Sequence, residues 1–460
     1  MKRFIILLLC LVGCQLLALA QEPRLLTAEE FIALVRQHHP LAHAATLEVE
    51  KAKAMLTAAR GGFDPLLAYS NATKDFKGVD YYNINEGSLT VPTPFALNVK
   101  AGMEYNQGYY LNPQLSRGRT SYAGLEIPLG NGLLFDKRRA ELLQARINLQ
   151  WAEQETRSRM NSLLLDAYSS YFSWAASYQL NELYGRFINN NEERIKMVRL
   201  AWQQGERPAI DTLEAVVQMK SFILLKREAE AELQTARLQL NSFLWNNQEA
   251  IADTMNIAPV PLSSLSADIA IEAPGIVVNT NPLLQQARLK LGSLDVERRL
   301  KFQSLLPYLN VKANLLNENY QPFKNINPNY AAGNHSFGIN LSIPLRLSAA
   351  RGEYRLARLK IEQAKLELSA KTMELNNKVL ALTNEVKLLE QQLATAIEMY
   401  NDYSTLLRAE EIRFANGEGS LFIINNRELK VIEALQKLVQ LRLKWLNTAN
   451  KMQGITGVLQ

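Results

Sequence analysis

The sequence predicts an α+β protein made of a duplicated unit, in which long coiled-coil α-helices alternate with β-hairpins. Three observations predict it: two stretches of 67 residues without proline, several segments in which apolar and polar residues alternate, and landmarks that recur at a long spacing. The 460 residues are 47% hydrophobic and 21% charged, which is typical of folded proteins and excludes a disordered or low-complexity chain.

The duplication is visible in three pairs of landmarks. His39-Pro40 recurs as Asn281-Pro282 after 242 positions, and the Ile-Pro-Leu motif at 127–129 recurs at 343–345 after 216 positions. The first half therefore carries 26 additional residues between these landmarks. Gly205-Glu206 then recurs as Gly417-Glu418 after 212 positions. Each half follows the order helix, strand region, long helix, glycine break, helix.

The N-terminus has the pattern of a secretory signal. Lys2 and Arg3 precede an apolar stretch over residues 4–12, and Ala18-Leu19-Ala20 offers a small-x-small cleavage site before Gln21. We therefore predict a signal peptide over residues 1–20 and an exported mature chain. After this segment no apolar run approaches the roughly 18 residues that a membrane-spanning helix needs.

An alternative for the N-terminus is lipidation, because residues 11–14 resemble a lipobox that would make Cys14 the modified residue. The apolar stretch continues past Cys14, which favours simple cleavage. Cys10 and Cys14 are the only cysteines, so the cleaved chain has no thiol for a disulfide, for catalysis or for a metal site. Loss of Lys2 and Arg3 lowers the formal net charge of +6 by two, too mild a charge to indicate nucleic-acid binding.

Segments with a period of two predict strands in both halves. In the second half they cover residues 309–315 and 337–343, with one apolar and one polar face. Such alternation is typical of a sheet on a soluble core and equally of a transmembrane barrel. Because the chain is exported and so few strands cannot close a barrel, a barrel shared by several chains is favoured. The first half contains four strand-like segments: Leu66–Thr73, Tyr82–Val91, Phe95–Asn106 and Thr120–Pro128.

The long helices are predicted over residues 136–202 and 348–414, which lack proline and consist almost wholly of good helix formers. A helix of this length reaches about 100 Å. Partner helices are predicted over 209–246 and 421–452, after the glycine breaks. Alternating steps of four and three predict a coiled-coil seam at Leu375, Val379, Leu382, Val386, Leu389, Leu393, Ala396, Tyr400, Tyr403 and Leu407, and a shorter one at Leu164, Tyr168, Tyr171, Ala175 and Tyr178.

These elements give the predicted domain organisation. The first repeat spans residues 21–258 with its strand region at 66–128, and the second spans 279–460 with its strand region at 307–344. A linker is predicted over 259–278.

The arrangement resembles that of TolC-like outer-membrane efflux proteins over nearly all of the mature chain. The resemblance is carried by the duplicated unit, the Asn281-Pro282 helix start, the Ile-Pro-Leu strand exits, and the run Arg413 to Gly417, which matches the family's Arg-aromatic-x-x-Gly turn. It implies a homotrimer in the cell outer membrane. Two hairpins per chain would build a shared β-barrel of twelve strands, and the long helices would form a tunnel through the periplasm.

The same resemblance implies a function and partners. The chain would be the passive exit duct of a tripartite efflux or type I secretion system, for small molecules or polypeptides, with no cofactor. Its partners would be outer-membrane lipid, a periplasmic adaptor (membrane fusion protein) and an inner-membrane pump of the RND, ABC or MFS type. The adaptor would dock at the turns of Gly205 and Gly417.

The family's closed end implies candidate gate residues. Asp211, six residues after Gly205, matches the family's acidic residue, and Phe414 matches its aromatic partner. Gly419 stands where a family example has a basic residue, so the resemblance does not extend to the salt-linked component of the gate. Asn426 stands where an acidic ring could sit, so a cation-binding constriction is not supported. Asp211 has a second interpretation as a helix N-cap.

The four strand segments of the first half exceed the two that the family expects. We expect the middle pair to form an extracellular or rim hairpin; the alternative is that it enlarges the barrel.

Other chemistry has little support in the sequence. His39 and His43 are spaced like helix-borne metal ligands, but Pro40 starts a helix between them and no further ligand completes a set. Motifs of phosphate-binding loops, dinucleotide sites and hydrolases do not occur, so no catalytic residue is predicted. The alternative function is that of a periplasmic coiled-coil adaptor or scaffold, which predicts a single helical hairpin inserted in soluble β domains.

Overall fold

The structure, a computed structural model, describes residues 24–112, 114–246, 249–250, 257–265, 280–318, 320 and 333–456. The predicted signal peptide, Cys14 and most of the predicted linker lie outside these residues. The described helices are α1 (Ala28–His38), α2 (Pro40–Arg60), α3 (Lys137–Gln203), α4 (Ala209–Asn241), α5 (Pro282–Gln303), α6 (Ser348–Ala415) and α7 (Leu421–Thr456). The strands are β1 (Arg24–Leu26), β2 (Leu66–Phe76), β3 (Val79–Pro92), β4 (Asn98–Gln107), β5 (Gly118–Pro128), β6 (Trp245–Asn246), β7 (Glu249–Ala250), β8 (Ile257–Pro259), β9 (Tyr308–Glu318) and β10 (His335–Ser342).

The chain divides into two compact units, each assembled from both repeats. One unit comprises Met1–Thr46, Arg157–Asn281 and Glu374–Gln460, and contains most of the coiled-coil helices. The other comprises Leu47–Thr156 and Pro282–Met373, and contains the main sheet with the helical segments that enter and leave it.

The main sheet has six strands in the order β10-β9-β5-β4-β3-β2, and all its pairings are antiparallel. The two repeats meet where β5 pairs with β9, with Leu125 opposite Ala313 and Ile127 opposite Val311. The β2–β3 hairpin closes through Lys77 and Gly78, whose φ values of 54° and 74° are those of a type I′ turn, the turn that matches the twist of a hairpin.

The first repeat supplies four strands to this sheet, which corrects the expectation of a separate rim hairpin. The middle pair, β3 and β4, lies between β2 and β5 and is paired along its length on both sides. The strand predicted from Phe95 begins instead at Asn98, because residues 93–97 form a turn with Ala96 at a φ of 64°. The prediction began too early because the apolar residues Phe95 and Leu97 extend the alternating pattern of the strand into this turn.

The coiled-coil unit packs around the predicted seams. In α6, Val379, Leu382 and Leu389 are buried with four further seam residues, and the remaining three are half-buried. Tyr171 of α3 is fully buried and donates a hydrogen bond from its hydroxyl to the carbonyl of Leu26 at 2.6 Å. That contact holds strand β1 where it pairs in parallel with β8.

His39 lies between α1 and α2, and its imidazole caps the start of α2. Its Nδ1 accepts a hydrogen bond from the backbone N–H of Leu41 at 3.1 Å, while the ring packs near Phe243 and Trp245. His43, one turn into α2, is exposed. Burial of the imidazole lowers the pKa of His39 below its usual 6.5, and a hydrogen bond to the Ser242 backbone opposes this shift.

We expect acidification to lower the folding stability of the protein through protonation of His39. A proton on Nδ1 would remove the acceptor that caps α2, so the stability contributed by the neutral ring is present above pH 6.5 and is lost as the pH falls toward the lower folded pKa. Asparagine keeps a capping acceptor but does not titrate. Thermal unfolding at pH 7.5 and 5.5 should therefore show a smaller pH dependence for His39→Asn than for the wild type. His43→Asn is the matched control, and an equal flattening by both variants would contradict this role.

Candidate functional site

The two glycine breaks are the same structural motif. Gly205 and Gly417 have φ values of 79° and 84°. This left-handed backbone conformation is unfavourable for residues that carry a side chain. Each glycine N–H bonds to the carbonyl three residues earlier at 3.0 Å, and the following glutamate N–H, of Glu206 or Glu418, bonds to the carbonyl five residues earlier. This is the Schellman pattern that ends helices. Both turns end a long helix and return the chain into its partner helix.

The candidate gate residues Asp211 and Phe414 are linked through Arg207. The Arg207 guanidinium carbon lies 3.8 Å from the centre of the Phe414 ring, and its Nη1 lies 3.3 Å from an Asp211 carboxylate oxygen. The side chains of Arg207 and Asp211 are both less than one-fifth exposed. One cation thus connects the turn after α3 to the end of α6.

Arg207 was missed by sequence reasoning, although a signal for it existed. The equivalent position of the second turn, 212 residues on, is Gly419, where we noted the lack of a basic residue. A Cβ at Gly419 would lie 3.0 Å from the backbone of Phe414, so this position leaves little room for a side chain. The cation is supplied by the first turn, and a comparison of the two turns at equal offset would have found it.

Two further expectations concern Asp211 as a helix N-cap and the position of Asn426. Asp211 is not an N-cap: Pro208 occupies that position before α4, and Asp211 is the third residue of the helix. Its carboxylate pairs with Arg207 instead of a backbone N–H. Asn426 is exposed on α7, while its neighbour Asn425 is buried and donates to the Glu214 carboxylate of α4 at 3.2 Å.

A buried ion pair connects the two helical hairpins near these turns. Arg194 of α3 lies 2.7 Å from the Glu428 carboxylate of α7 and 3.5 Å from that of Glu411 in α6. The side chains of Arg194 and Glu428 are 6% and 1% exposed. Burial raises the pKa of Glu428, although the hydrogen bond and charge of Arg194 oppose the rise. With the Asn425–Glu214 bond, this pair joins the α3–α4 hairpin to the α6–α7 hairpin by polar contacts.

The main sheet has two chemically distinct faces. The register aligns Leu67, Leu89, Val99 and Leu125 near one another on one face, and the same face continues through Ala313 to Phe337 on β10. The opposite face is polar. This separation is what a sheet needs if one side contacts lipid and the other contacts water.

The polar face carries a network of charged side chains. Glu126 pairs with Lys100 and lies 3.8 Å from Lys312 of the second repeat, while Asn310 donates to its carboxylate at 2.5 Å. Tyr122 donates to the Glu86 carboxylate at 2.7 Å. The strands of the two repeats are therefore joined by side-chain contacts as well as by backbone pairing.

The Tyr122 ring lies across Gly102, its partner on β4. A Cβ at residue 102 would overlap the outer atoms of that ring. The glycine makes room for the aromatic side chain that reaches Glu86.

Aromatic side chains gather at the end of the sheet that carries the β2–β3 turn. The ring centres of Tyr81 and Tyr110 lie 4.7 Å apart, those of Tyr109 and Tyr110 lie 4.9 Å apart, and Phe76 packs edge-on against Tyr81. Phe76, Tyr109 and Tyr110 are largely exposed. Aromatic girdles of this kind mark the interfaces of transmembrane barrels.

No helix within the described ranges is long and apolar enough to cross a membrane. Those ranges also contain no group of three or more metal-binding side chains.

Comparison with known proteins identifies the fold. The family model described as "Outer membrane efflux protein" matches residues 274–458. Across nearly the whole chain, the structure is similar to the Campylobacter jejuni CmeC outer membrane channel, with a TM-score of 0.65 at 13% identity, covering 94% of this chain and 85% of that one. It is similar to the open state of the Neisseria gonorrhoeae MtrE outer membrane channel, with a TM-score of 0.68 at 14% identity, covering 95% and 90%. The Vibrio cholerae outer membrane protein VceC gives a TM-score of 0.64 at 13% identity, covering 94% and 96%. No curated protein matches the sequence.

These similarities confirm the predicted TolC-like fold, with its combination of long helices and strands. The matched family and these solved structures are described as outer-membrane efflux proteins, outer-membrane channels and an outer-membrane protein.

Proposed function

We propose that this chain, whose second repeat belongs to the outer membrane efflux protein family, is the outer-membrane channel of a tripartite efflux or type I secretion system. It would lie in the cell outer membrane with its helical part in the periplasm, and the family match over residues 274–458 supports this location. Three copies would share one barrel, and the channel would be a passive duct that catalyses no reaction. Energy would come from an inner-membrane pump.

The observation that carries the proposal is the amphipathic sheet. One face is apolar from β2 to β10, and the other carries Lys100, Glu126 and Glu86. A soluble sheet with a charged face would have to cover its apolar face with other elements. Here Leu67, Phe337 and Ile339 are more than 60% exposed, which fits contact with lipid.

The turns support docking of a periplasmic adaptor. Glu206 and Glu418 are exposed at the two turns, and apolar side chains are exposed beside them at Ile210, Leu213 and Phe422. An exposed apolar patch next to charged residues is typical of a surface that binds another protein. The alternative of an adaptor or scaffold predicts a single helical hairpin, whereas this chain has two, α3–α4 and α6–α7.

The native mass of the protein purified from outer membranes in detergent tests this proposal. We expect a trimer. Photo-crosslinkers placed at Glu206 and Glu418 should then capture a periplasmic adaptor, and one at Glu362, exposed on the sheet-proximal part of α6, serves as the control. A monomer, or recovery from the soluble periplasm, would overturn the channel and favour the scaffold.

A further inference from the structure

Within the described part of the chain, the two outer strands of the main sheet, β2 and β10, each have one edge without a paired strand. All eleven residues of β2 and all eight of β10 are exposed. Edge strands of soluble proteins are usually protected by proline, by a bulge or by inward-pointing charges. Strand β10 contains neither proline nor a charged residue, apart from His335 at its first position. Along β2 the pairing with β3 is regular from Leu66 to Lys74, and the bulge falls only at its far end.

The two edge strands carry their apolar side chains on the same face of the sheet. Phe337, Ile339 and Leu341 of β10 share one face of the sheet, and Leu67 and Tyr69 of β2 share the same face at the other edge. Joining β10 of one copy to β2 of the next would therefore continue the apolar face without interruption. It would also continue the polar face, since alternate residues point to opposite sides of a sheet.

Strand direction allows this junction. The chain runs in opposite directions in successive strands across the sheet, and the number of strands is even. As a result β10 and β2 run in opposite directions, and a ring of copies can close with every pairing antiparallel. Closed membrane barrels require this, because an open edge in lipid leaves backbone groups without partners.

The number of strands per chain differs from the number that the resemblance to TolC-like proteins implies. Two hairpins per chain would give twelve strands in a trimer, but the described residues place six strands per chain in one continuous sheet. The extra hairpin, β3–β4, lies inside the sheet and is bonded on both sides, so it cannot leave without breaking two ladders.

We infer that the pore of this protein is an eighteen-stranded barrel, closed by pairing β10 of each copy with β2 of the next. The inference rests on the proposed trimer and adds the number of strands and the contact between copies. Barrel diameter grows roughly in proportion to strand number, so the pore is about 1.5 times as wide as a twelve-stranded one. Barrels of this size leave a water-filled channel. The barrel would then admit bulky solutes or polypeptides as well as small molecules.

Disulfide mapping tests the strand order directly in the trimer, because the cleaved chain contains no native cysteine. Cysteine pairs that combine position 67 or 69 of β2 with position 337, 339 or 341 of β10 should yield covalent dimers and trimers on oxidation. The pair Leu67→Cys with Leu89→Cys joins opposite residues of β2 and β3 and is the positive control within one chain.

Disulfide formation in two further cysteine pairs would contradict the inference. Efficient linkage of position 67 to position 125 would mean that β3 and β4 leave the sheet and that β2 adjoins β5. Linkage between copies from position 99 to position 339 would mean that β2 and β3 lie outside the barrel. Either result, or the absence of β2–β10 links while the control pair forms, would overturn the eighteen-stranded barrel and leave the trimeric channel intact. A native mass of two chains would give twelve strands and would overturn both the inference and the proposed trimer.

Discussion

Replacing Arg207 with alanine is expected to raise the open fraction of the proposed channel more than tenfold, until that fraction saturates. The guanidinium stacks on Phe414 of α6 at 3.8 Å and pairs with Asp211 of α4 at 3.3 Å, so one substitution removes the contact with the end of α6 and the ion pair that orients the arginine. A largely desolvated cation–π contact contributes about 2 kcal/mol, and each 1.4 kcal/mol changes an equilibrium constant tenfold. Conductance in planar bilayers measures the effect, and cells with the variant should become more sensitive to large antibiotics.

Arg413 provides the matched control for this experiment. It lies next to Phe414 and is largely exposed, and among the described residues its ion pair is with Glu410 of its own helix. Exposed pairs of this kind contribute less than about 1 kcal/mol, so Arg413→Ala should leave the conductance unchanged. Arg207→Lys keeps the charge but loses the planar stacking, and should give an intermediate conductance. Equal conductance of Arg207→Ala and the wild type would exclude Arg207 from the gate.

Replacing Glu428 with alanine is expected to destabilise the helical unit by about 3–5 kcal/mol, the usual cost of leaving a buried charge without its partner. The uncompensated charge is Arg194, whose side chain is 6% exposed and has Glu411 as a second, more distant carboxylate. Urea unfolding followed by the helical circular dichroism signal measures the loss. Glu433→Ala is the control on the same helix, because Glu433 is exposed and its ion pair within the residues that the structure describes is with the neighbouring surface residue Lys430.

The double variant Arg194→Leu with Glu428→Leu tests whether the lost stability comes from the unpaired arginine or from lost packing. In the described part of the chain, Nη1 of Arg194 and Oε2 of Glu428 have no hydrogen-bond partner, so the buried pair does not recover its full desolvation cost. Leucine at both positions should therefore restore most of the stability lost in Glu428→Ala. If the double variant were as unstable as the single one, the loss would come from packing and not from the unpaired arginine.

The helices could be predicted closely because local properties dominate them. The absence of proline and the seam from Leu375 to Leu407 fix both the extent of α6 and its buried side, and the helix begins at the predicted Ser348. Helix length and burial pattern follow from periodicity within a single segment.

The number of strands in the sheet depends on pairing partners distant in sequence, which periodicity does not reveal. The alternation in β3 and β4 predicted two strands correctly, but nothing in them states whether they join the sheet or stand apart from it. The turn at Ala96 illustrates the same limit, since the apolar residues at 95 and 97 fit a strand pattern while the backbone reverses. The Arg207 contact likewise joins two turns that are separated by some 200 residues of chain.

The Tyr122 ring over Gly102 couples these two positions of the sheet. A larger residue at 102 meets the outer atoms of the ring where it now lies, so the ring would have to turn away from Glu86 or be replaced by a smaller side chain. Homologous barrels with a side chain at position 102 are therefore expected to lack the contact between residues 122 and 86. The two sites should vary as a linked pair, with tyrosine accompanied by glycine.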